Sequence, residues 1–242
     1  MRPDAQRIIA TFASEPERIL TDGILTSQYS DPFWKTPSVA RQYGTFANTD
    51  FVRIYPVIAN QILDRTGITD GTCLDIGSGP GSLAIALATL SGLNVTALDS
   101  SPEMFELAQK NICKWGIEQH VTPVIGDVHA IPAPDATFHL VVSRGSYHFW
   151  NDLPVAFSEV FRVLKPGGMA YIGGGYGSAR IRDEILAKRK KRGIIDNPEH
   201  PTRTRFRKFR AGEIEESIET AGITDYRIIN DDSGFWIIFR KV

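Results

Sequence analysis

The chain has 242 residues, a hydrophobic fraction of 42%, a charged fraction of 23% and a formal net charge of −1. These values are typical of a soluble globular protein, and the balanced charge excludes a global attraction to nucleic acid or to an anionic membrane. Residues 1–20 lack the continuous apolar core of a signal peptide, and no run approaches the ~18 apolar residues of a membrane span. We therefore expect a cytoplasmic protein.

The two cysteines fit the same expectation. Cys73 falls in a predicted strand and Cys113 late in a predicted helix, so both are expected to be packed, reduced thiols. Such usage suits a reducing compartment and offers no disulfide framework. The five histidines show no metal-ligand spacing, and we predict no metal site.

Residues 1–66 are predicted to form an N-terminal helical cap. Their clearest element is a helix over 51–65, with Ile54, Ile58 and Ile62 at helical spacing, and Gly67 is a stop signal. The irregular segment before this helix is rich in aromatic residues. These side chains either line an acceptor pocket or pack the cap on the main domain, and the sequence leaves both interpretations open. They are Phe33, Trp34, Tyr43, Phe46 and Phe51.

Residues 73–88 predict a strand, a tight turn and a helix. The apolar strand ends at Asp75, and Gly77, Gly79 and Gly81 precede a segment rich in Ala and Leu. Glycines take up backbone angles closed to other residues and let a ligand approach the main chain, and the first N–H groups of the helix point to the same place. Ser82 stands where a dinucleotide fold requires its last glycine. A carboxylate at the strand end would repel a pyrophosphate, but it suits an ammonium or sulfonium group.

This segment resembles motif I of class I S-adenosylmethionine-dependent methyltransferases, whose pattern is acid-x-Gly-x-Gly-x-Gly. The second predicted strand, 94–98, ends at Asp99, and Asp99-x-Ser101-x-x-Met104 resembles the family's second motif. The resemblance implies an S-adenosylmethionine cofactor whose ribose hydroxyls bind Asp99. It also implies that Ser78, Ser100 and Met104 lie beside this cofactor.

A third predicted strand, 121–125, leads into the next family motif. In the family an Asp here accepts a hydrogen bond from the adenine amino group, and the following N–H meets the ring. Asp127 and Val128 match those positions. His129 is interpreted as a solvated loop residue.

The loop after predicted strand four, 138–143, should face the methyl group, because ligands of open parallel sheets sit outside the carboxyl ends of the strands. The resemblance places Ser143 and Arg144 at the cofactor, and Tyr147 or His148 is predicted to orient the acceptor or take its proton. Ubiquinone-biosynthesis-type relatives often carry a His pair here, of which this chain keeps only the first member. The alternative is a packed His148. His139, at the other end of this strand, is predicted to be structural.

The second half of the chain continues the alternation of strand and helix. A helix over 153–164 ends at Lys-Pro-Gly-Gly, which resembles a structural hallmark of the family, and strand five is predicted at 169–172. Glycines 173–175 would allow close approach of a substrate, and Tyr176 is assigned to it. A helix over 212–221 and an antiparallel pair of strands, 223–229 and 235–242, follow.

Residues 178–210 contain twelve Lys and Arg residues against four acids. Three interpretations stay open for this basic insertion: a solvated face, an anion site for a carboxylate, phosphate or coenzyme-A-like acceptor, or a nucleic-acid contact.

Together the motifs predict a doubly wound, Rossmann-like seven-stranded α/β sheet that ends in an antiparallel hairpin. The cap would span 1–66 and the methyltransferase domain 67–242. The implied function is transfer of a methyl group from S-adenosylmethionine to a small, possibly anionic acceptor by in-line displacement. The alternatives are a non-catalytic S-adenosylmethionine-binding or assembly protein, and less favoured, a nucleic-acid methyltransferase or an NAD-dependent oxidoreductase.

Overall fold

The computed structural model describes residues 53–191 and 212–242. The predictions for Trp34 and Tyr43, and for most of the cap and the second half of the basic insertion, lie outside these residues. The strands are β1 (Asp70–Ile76), β2 (Gly92–Asp99), β3 (Val121–Ile125), β4 (Phe138–Arg144), β5 (Leu164–Gly174), β6 (Tyr226–Asp231) and β7 (Gly234–Arg240). The helices are α1 (Ile54–Thr66), α2 (Ser82–Leu90), α3 (Pro102–Trp115), α4 (Leu153–Val163), α5 (Ala179–Lys191) and α6 (Glu213–Thr220), with a 3₁₀ turn at Tyr147–Phe149.

The strands form one mixed sheet of order β3-β2-β1-β4-β5-β7-β6. The first five strands are parallel to one another, whereas β7 is inserted antiparallel between β5 and β6. The predicted doubly wound sheet with a terminal hairpin is confirmed. The strand order reverses between β1 and β4, and ligands of such sheets bind outside the carboxyl ends at that point.

Each face of the sheet is covered by helices. On one face α1, α2, α3 and α5 bury residues such as Ile58, Leu87 and Ile185, and on the other α4 and α6 bury Phe157 and Ile218. Helix α1, the described part of the predicted cap, is thus part of the main core. This position brings its residues beside the carboxyl ends of β4 and β5.

The predicted helix boundaries rest on capping chemistry. The Ser101 side chain accepts a hydrogen bond from the Met104 N–H at 3.3 Å, Pro102 opens α3, and Gly116 ends it with φ 63°. Asp152 caps α4 in the same way, through the Val155 N–H at 3.1 Å.

Two expectations need correction. The chain enters β5 directly after α4, and the pairing register with β4 shifts between Phe138 and Leu140, so residues 165–168 form an irregularity inside the strand and not a loop before it. Cys73 is buried as expected, but Cys113 is exposed. Ile112 faces the core, and the next residue of a helix points well away from that face.

His139 has the structural role predicted for it. Its Nδ1 accepts a hydrogen bond from the Thr72 N–H at 3.0 Å, which ties β4 to β1 at the end of the sheet opposite the strands' carboxyl ends.

Arg162 on α4 fixes the loop that precedes β4. Its guanidinium donates to Glu159 Oε1 and Oε2 at 2.6 and 2.8 Å, to the carbonyls of Ile131 and Ala133 at 3.0 and 2.8 Å, and to Asp135 Oδ1 at 2.8 Å. The pairing with Arg162 lowers the pKa of the Glu159 carboxyl. One side chain thus ties α4 to this loop through its hydrogen bonds to Ile131, Ala133 and Asp135.

We expect Arg162→Met to lower the free energy of unfolding by about 2–3 kcal/mol, because Glu159 loses its cationic partner and the carbonyls of Ile131 and Ala133 each lose a hydrogen bond. Urea denaturation measures this. Arg180→Met is the matched control: Arg180 is 88% exposed and pairs with Glu184, so its loss should cost about 0.5 kcal/mol or less. Equal effects of the two substitutions would contradict this account.

Candidate functional site

The predicted cofactor residues converge at the carboxyl ends of β3, β2, β1 and β4, which are neighbours in the sheet. The loop after β1 has Gly77, Gly79 and Gly81 at φ 65°, 54° and 80°, the left-handed region that favours glycine. Gly81 is also the N-cap of α2. The loop is held near β2 by a hydrogen bond from the Ser78 N–H to the Leu98 carbonyl at 3.0 Å.

Asp75 is the most perturbed carboxyl of the site. Only 1% of it is exposed, and its Oδ2 makes no hydrogen bond with the described residues. Burial raises the pKa of Asp75 to about 8; the Ala84 N–H opposes this shift, and the nearby Asp99 charge adds to it. A buried carboxyl with one unpaired oxygen suits a cationic ligand group, which would restore the charge balance.

Asp99 joins β2 to the glycine loop. Its Oδ2 accepts from the Gly79 N–H at 2.8 Å and its Oδ1 from the Ser101 N–H at 3.0 Å. Burial raises the pKa of Asp99, and its backbone donors, including the Ser100 N–H, work against that rise. Ser100 itself is exposed, and Met104 is buried on the inner face of α3.

Asp127 and Val128 follow β3 as a pair with opposite exposure. The Asp127 side chain is 61% exposed, whereas Val128 is buried in the core on the face of the sheet that α4 and α6 cover. Asp127 Oδ1 accepts from the backbone N–H of His129 at 2.8 Å and lies 2.6 Å from the Nδ1 of its ring. His129 is only partly exposed and makes specific contacts, so its interpretation as a solvated loop residue needs correction.

Ser146, which the sequence analysis missed, joins the loop after β4 to the glycine loop. Its Oγ donates to the Ile76 carbonyl at 3.1 Å and lies 2.6 Å from the Oγ of buried Ser143. A Cβ added to Gly77 would lie 2.3 Å from Ser146 Cβ. Gly77 is therefore required by this packing as well as by its backbone angle.

Arg144 bridges three elements beside the site. Its Nη2 donates to the Gly175 carbonyl at 2.8 Å, and its guanidinium carbon lies 5.6 Å from the centre of the Tyr55 ring on α1. Nothing in the sequence marks Tyr55 as a residue of the site, since its spacing is that of any buried helix residue. The predicted contact of Arg144 with the cofactor stays a prediction.

Tyr147 and His148 lie in the 3₁₀ turn and are 6% and 3% exposed. The two rings meet edge to face at 4.8 Å between centroids, and Tyr147 stacks on Phe235 at 6.2 Å. Burial raises the pKa of Tyr147 to about 12. The phenol therefore keeps its proton at neutral pH, so it suits hydrogen-bond donation better than proton abstraction.

The reason for the glycines after β5 differs from the predicted one, which was the close approach of a substrate. A Cβ on Gly173 or Gly175 would lie 2.0 Å from the carbonyl oxygen of Phe235 or Ser233. The close approach there is made by the terminal hairpin, so these two glycines do not indicate a substrate. Tyr176, next in the chain, is partly buried against the core on the face of the sheet that α1 and α2 cover.

An open groove of about 490 Å³ lies elsewhere, along the hairpin, and none of the predicted site residues lines it. Its lining consists of Arg65, Met169, Asp225, Tyr226, Arg227, Ile238, Phe239 and Arg240.

Comparison with known proteins agrees with this geometry. A family described as a methyltransferase domain matches residues 73–168. A solved structure from Methanococcus maripaludis, described as an S-adenosyl-L-methionine-dependent methyltransferase, is 41% identical, superposes with a TM-score of 0.78, and is matched over 90% of this chain and 97% of its own. The chain belongs to the S-adenosylmethionine-dependent methyltransferases. The resemblance of the three motifs is thereby confirmed at the level of the family.

The curated relatives of this methyltransferase match over a shorter range. The demethylmenaquinone methyltransferase of Chlorobaculum parvum is 39% identical over 99 residues, which is 41% of this chain and 39% of that protein. The 27-O-demethylrifamycin SV methyltransferase of Amycolatopsis mediterranei is 34% identical over 141 residues, 58% of this chain and 48% of that protein. The chain thus spans less than half the length of these relatives. Among the described residues, no helix is long and apolar enough to cross a membrane.

Proposed function

We propose that this protein transfers the methyl group of S-adenosylmethionine to a small-molecule acceptor. The observation that carries the proposal is the row of three carboxyl groups, Asp75, Asp99 and Asp127, at the carboxyl ends of the adjacent strands β1, β2 and β3. They follow one edge of the sheet past a left-handed glycine loop, and each differs in burial in a way that suits a different part of one elongated ligand.

Each carboxyl group is assigned a part of the cofactor. Buried Asp75 would balance the ammonium group of the methionine moiety, and Asp99 would accept from both ribose hydroxyls. Exposed Asp127 would accept from the adenine amino group, with the Val128 N–H at the ring. The other residues that we assign to the cofactor are Gly77, Ser78, Gly79, Gly81, Ser100, Met104, Ser143 and Arg144.

The reaction requires little covalent chemistry from the side chains of the protein. The bound cofactor supplies a methyl group already activated on a sulfonium, so the protein mainly aligns the acceptor and excludes water. We assign Tyr147 to acceptor orientation as a hydrogen-bond donor and His148 to proton removal or orientation. Tyr176, with Trp34 and Tyr43 beyond the described residues, completes the proposed acceptor contacts.

The acceptor is proposed as a small metabolite. The curated relatives are named for demethylmenaquinone and for 27-O-demethylrifamycin SV, which are small molecules. The proposal that the acceptor is anionic rests on the basic insertion. The described part of this insertion ends in the exposed Lys188, Lys190 and Lys191 of α5. The cytoplasmic location is part of the same proposal.

Calorimetry with S-adenosylhomocysteine and with NAD tests the cofactor, and transfer of labelled methyl from S-adenosylmethionine to an acceptor panel tests the reaction. We expect S-adenosylhomocysteine to bind and NAD not to bind, and label to reach a quinol or an anionic metabolite. NAD binding alone would overturn the assignment of the three carboxyl groups. Cofactor binding without transfer to any acceptor would favour the non-catalytic alternative.

A further inference from the structure

His129 contacts two elements of the site at once. Its Nδ1 lies 2.6 Å from Asp127 Oδ1, and its Nε2 accepts from the Asp152 N–H at 3.2 Å. Asp152 caps α4, immediately after the loop that carries Tyr147 and His148. The imidazole thus lies between the end of β3 and the start of α4.

These two contacts define the state of the ring. A carboxylate oxygen only accepts, so Nδ1 must carry a proton to bond Asp127, and a backbone N–H only donates, so Nε2 must offer a lone pair to Asp152. Neutral imidazole with its proton on Nδ1 satisfies both partners. The two hydrogen bonds fix the orientation of the His129 ring, and the ring in turn fixes the orientation of the Asp127 carboxyl group.

The fixed orientation of the Asp127 carboxyl group matters for ligand binding. Both contacts from His129 use Oδ1, so neither the ring nor the backbone N–H of His129 occupies Oδ2. The Asp127 side chain is 61% exposed on a loop, and the two hydrogen bonds from His129 narrow the set of rotamers that it samples. Holding one carboxylate oxygen lowers the entropy that must be lost when the other accepts a hydrogen bond from a ligand.

The rest of the loop does not depend on His129. The Ile131 N–H donates to Glu159 Oε2 at 2.8 Å, and Arg162 holds the carbonyls of Ile131 and Ala133. The Gly126 N–H donates to the Asp99 carbonyl at 3.0 Å. Removing the imidazole should therefore change the orientation of Asp127 without releasing the loop.

We propose that His129 is a positioning residue that orients the Asp127 carboxylate toward the 6-amino group of the cofactor's purine. It thereby sets the preference of the site for a 6-aminopurine, which donates from its 6-substituent, over a 6-oxopurine, whose 6-oxygen only accepts and would face the carboxylate oxygen unfavourably. The inference rests on the proposed function, since it assumes that a purine nucleoside lies at Asp127.

The test compares the dissociation constants of S-adenosylhomocysteine and S-inosylhomocysteine, which differ in the 6-substituent of the purine. Their ratio should fall about five- to tenfold in His129→Ala and His129→Gln, which lack a donor at the Nδ1 position and so lose one charge-assisted hydrogen bond. His129→Asn, whose amide nitrogen lies near the position of Nδ1, should restore most of the ratio. In the Asp127→Asn background, His129→Ala should change the ratio no further.

His120→Ala is the control, because His120 is an exposed histidine at the other end of β3 with a contact to Asn94. A general loss of stability would weaken the binding of both ligands equally and leave the ratio of their dissociation constants unchanged. An unchanged ratio in His129→Ala or His129→Gln would therefore overturn this inference but not the proposed function. Failure of the wild-type protein to bind S-adenosylhomocysteine would overturn the proposed function together with it. His129→Gln keeps the test available should the Ala variant not fold.

Discussion

Asp99→Ala is expected to weaken S-adenosylhomocysteine binding about 100-fold. A carboxylate that accepts from both ribose hydroxyls makes two charge-assisted hydrogen bonds, and a loss of about 3 kcal/mol corresponds to that factor. Calorimetry measures the dissociation constant directly. An unchanged constant would remove the ribose assignment of Asp99.

Two further variants separate the loss of ribose contacts from damage to the glycine loop. Asp99 also holds the Gly79 and Ser101 N–H groups. Asp99→Asn keeps a carbonyl oxygen that can hold one of them but removes the charge, so its affinity should lie between those of the wild type and Asp99→Ala. Asp70→Ala removes an exposed carboxyl at the opposite end of β1 and should leave the affinity unchanged.

The sheet could be predicted from the sequence because its signals are local. Alternating apolar segments, a Ser-Pro-Glu helix start at residues 101–103 and a closing hairpin each depend on neighbouring residues, and β3 was predicted with the bounds Val121–Ile125 that the structure shows. The start of β5 was wrong because proline and glycine at 166–168 indicate a loop, whereas pairing with β4 extends the strand through them. The prediction that Cys113 is packed was wrong because membership of a helix does not say on which face of the helix a residue lies.

The site could be predicted only in part, for the same reason. The carboxyl groups at the ends of β1, β2 and β3 have signals in their own motifs. The contacts of Ser146 with Gly77, of Arg144 with Tyr55 and of His129 with Asp152 join segments that are distant along the chain. The glycines after β5 show the limit most clearly, since a glycine run is the same whether a ligand or the protein's own hairpin approaches it.

Asp75→Asn is expected to weaken S-adenosylhomocysteine binding while it stabilises the free protein. Burial raises the pKa of Asp75 to about 8 from an ordinary value of 3.8. The unfolded chain therefore loses this proton near pH 4 and the folded chain only near pH 8, so the free protein loses stability as the pH rises through that window. An amide of the same shape has no proton to retain, and we expect it to add about 2 kcal/mol or more to the free energy of unfolding at pH 7.

The same proton makes cofactor binding depend on pH. If the ammonium group of the ligand requires the charged carboxylate, the wild-type protein must release a proton on binding below pH 8, and its affinity should rise by up to about tenfold per pH unit between pH 6 and pH 8. Calorimetry in two buffers of different ionisation enthalpy counts the protons released. Asp75→Asn should bind more weakly at pH 8 and show no such rise. A wild-type affinity that stays constant from pH 6 to pH 8 would contradict this account of Asp75, because a carboxyl with this pKa must lose its proton before it can balance the ammonium group.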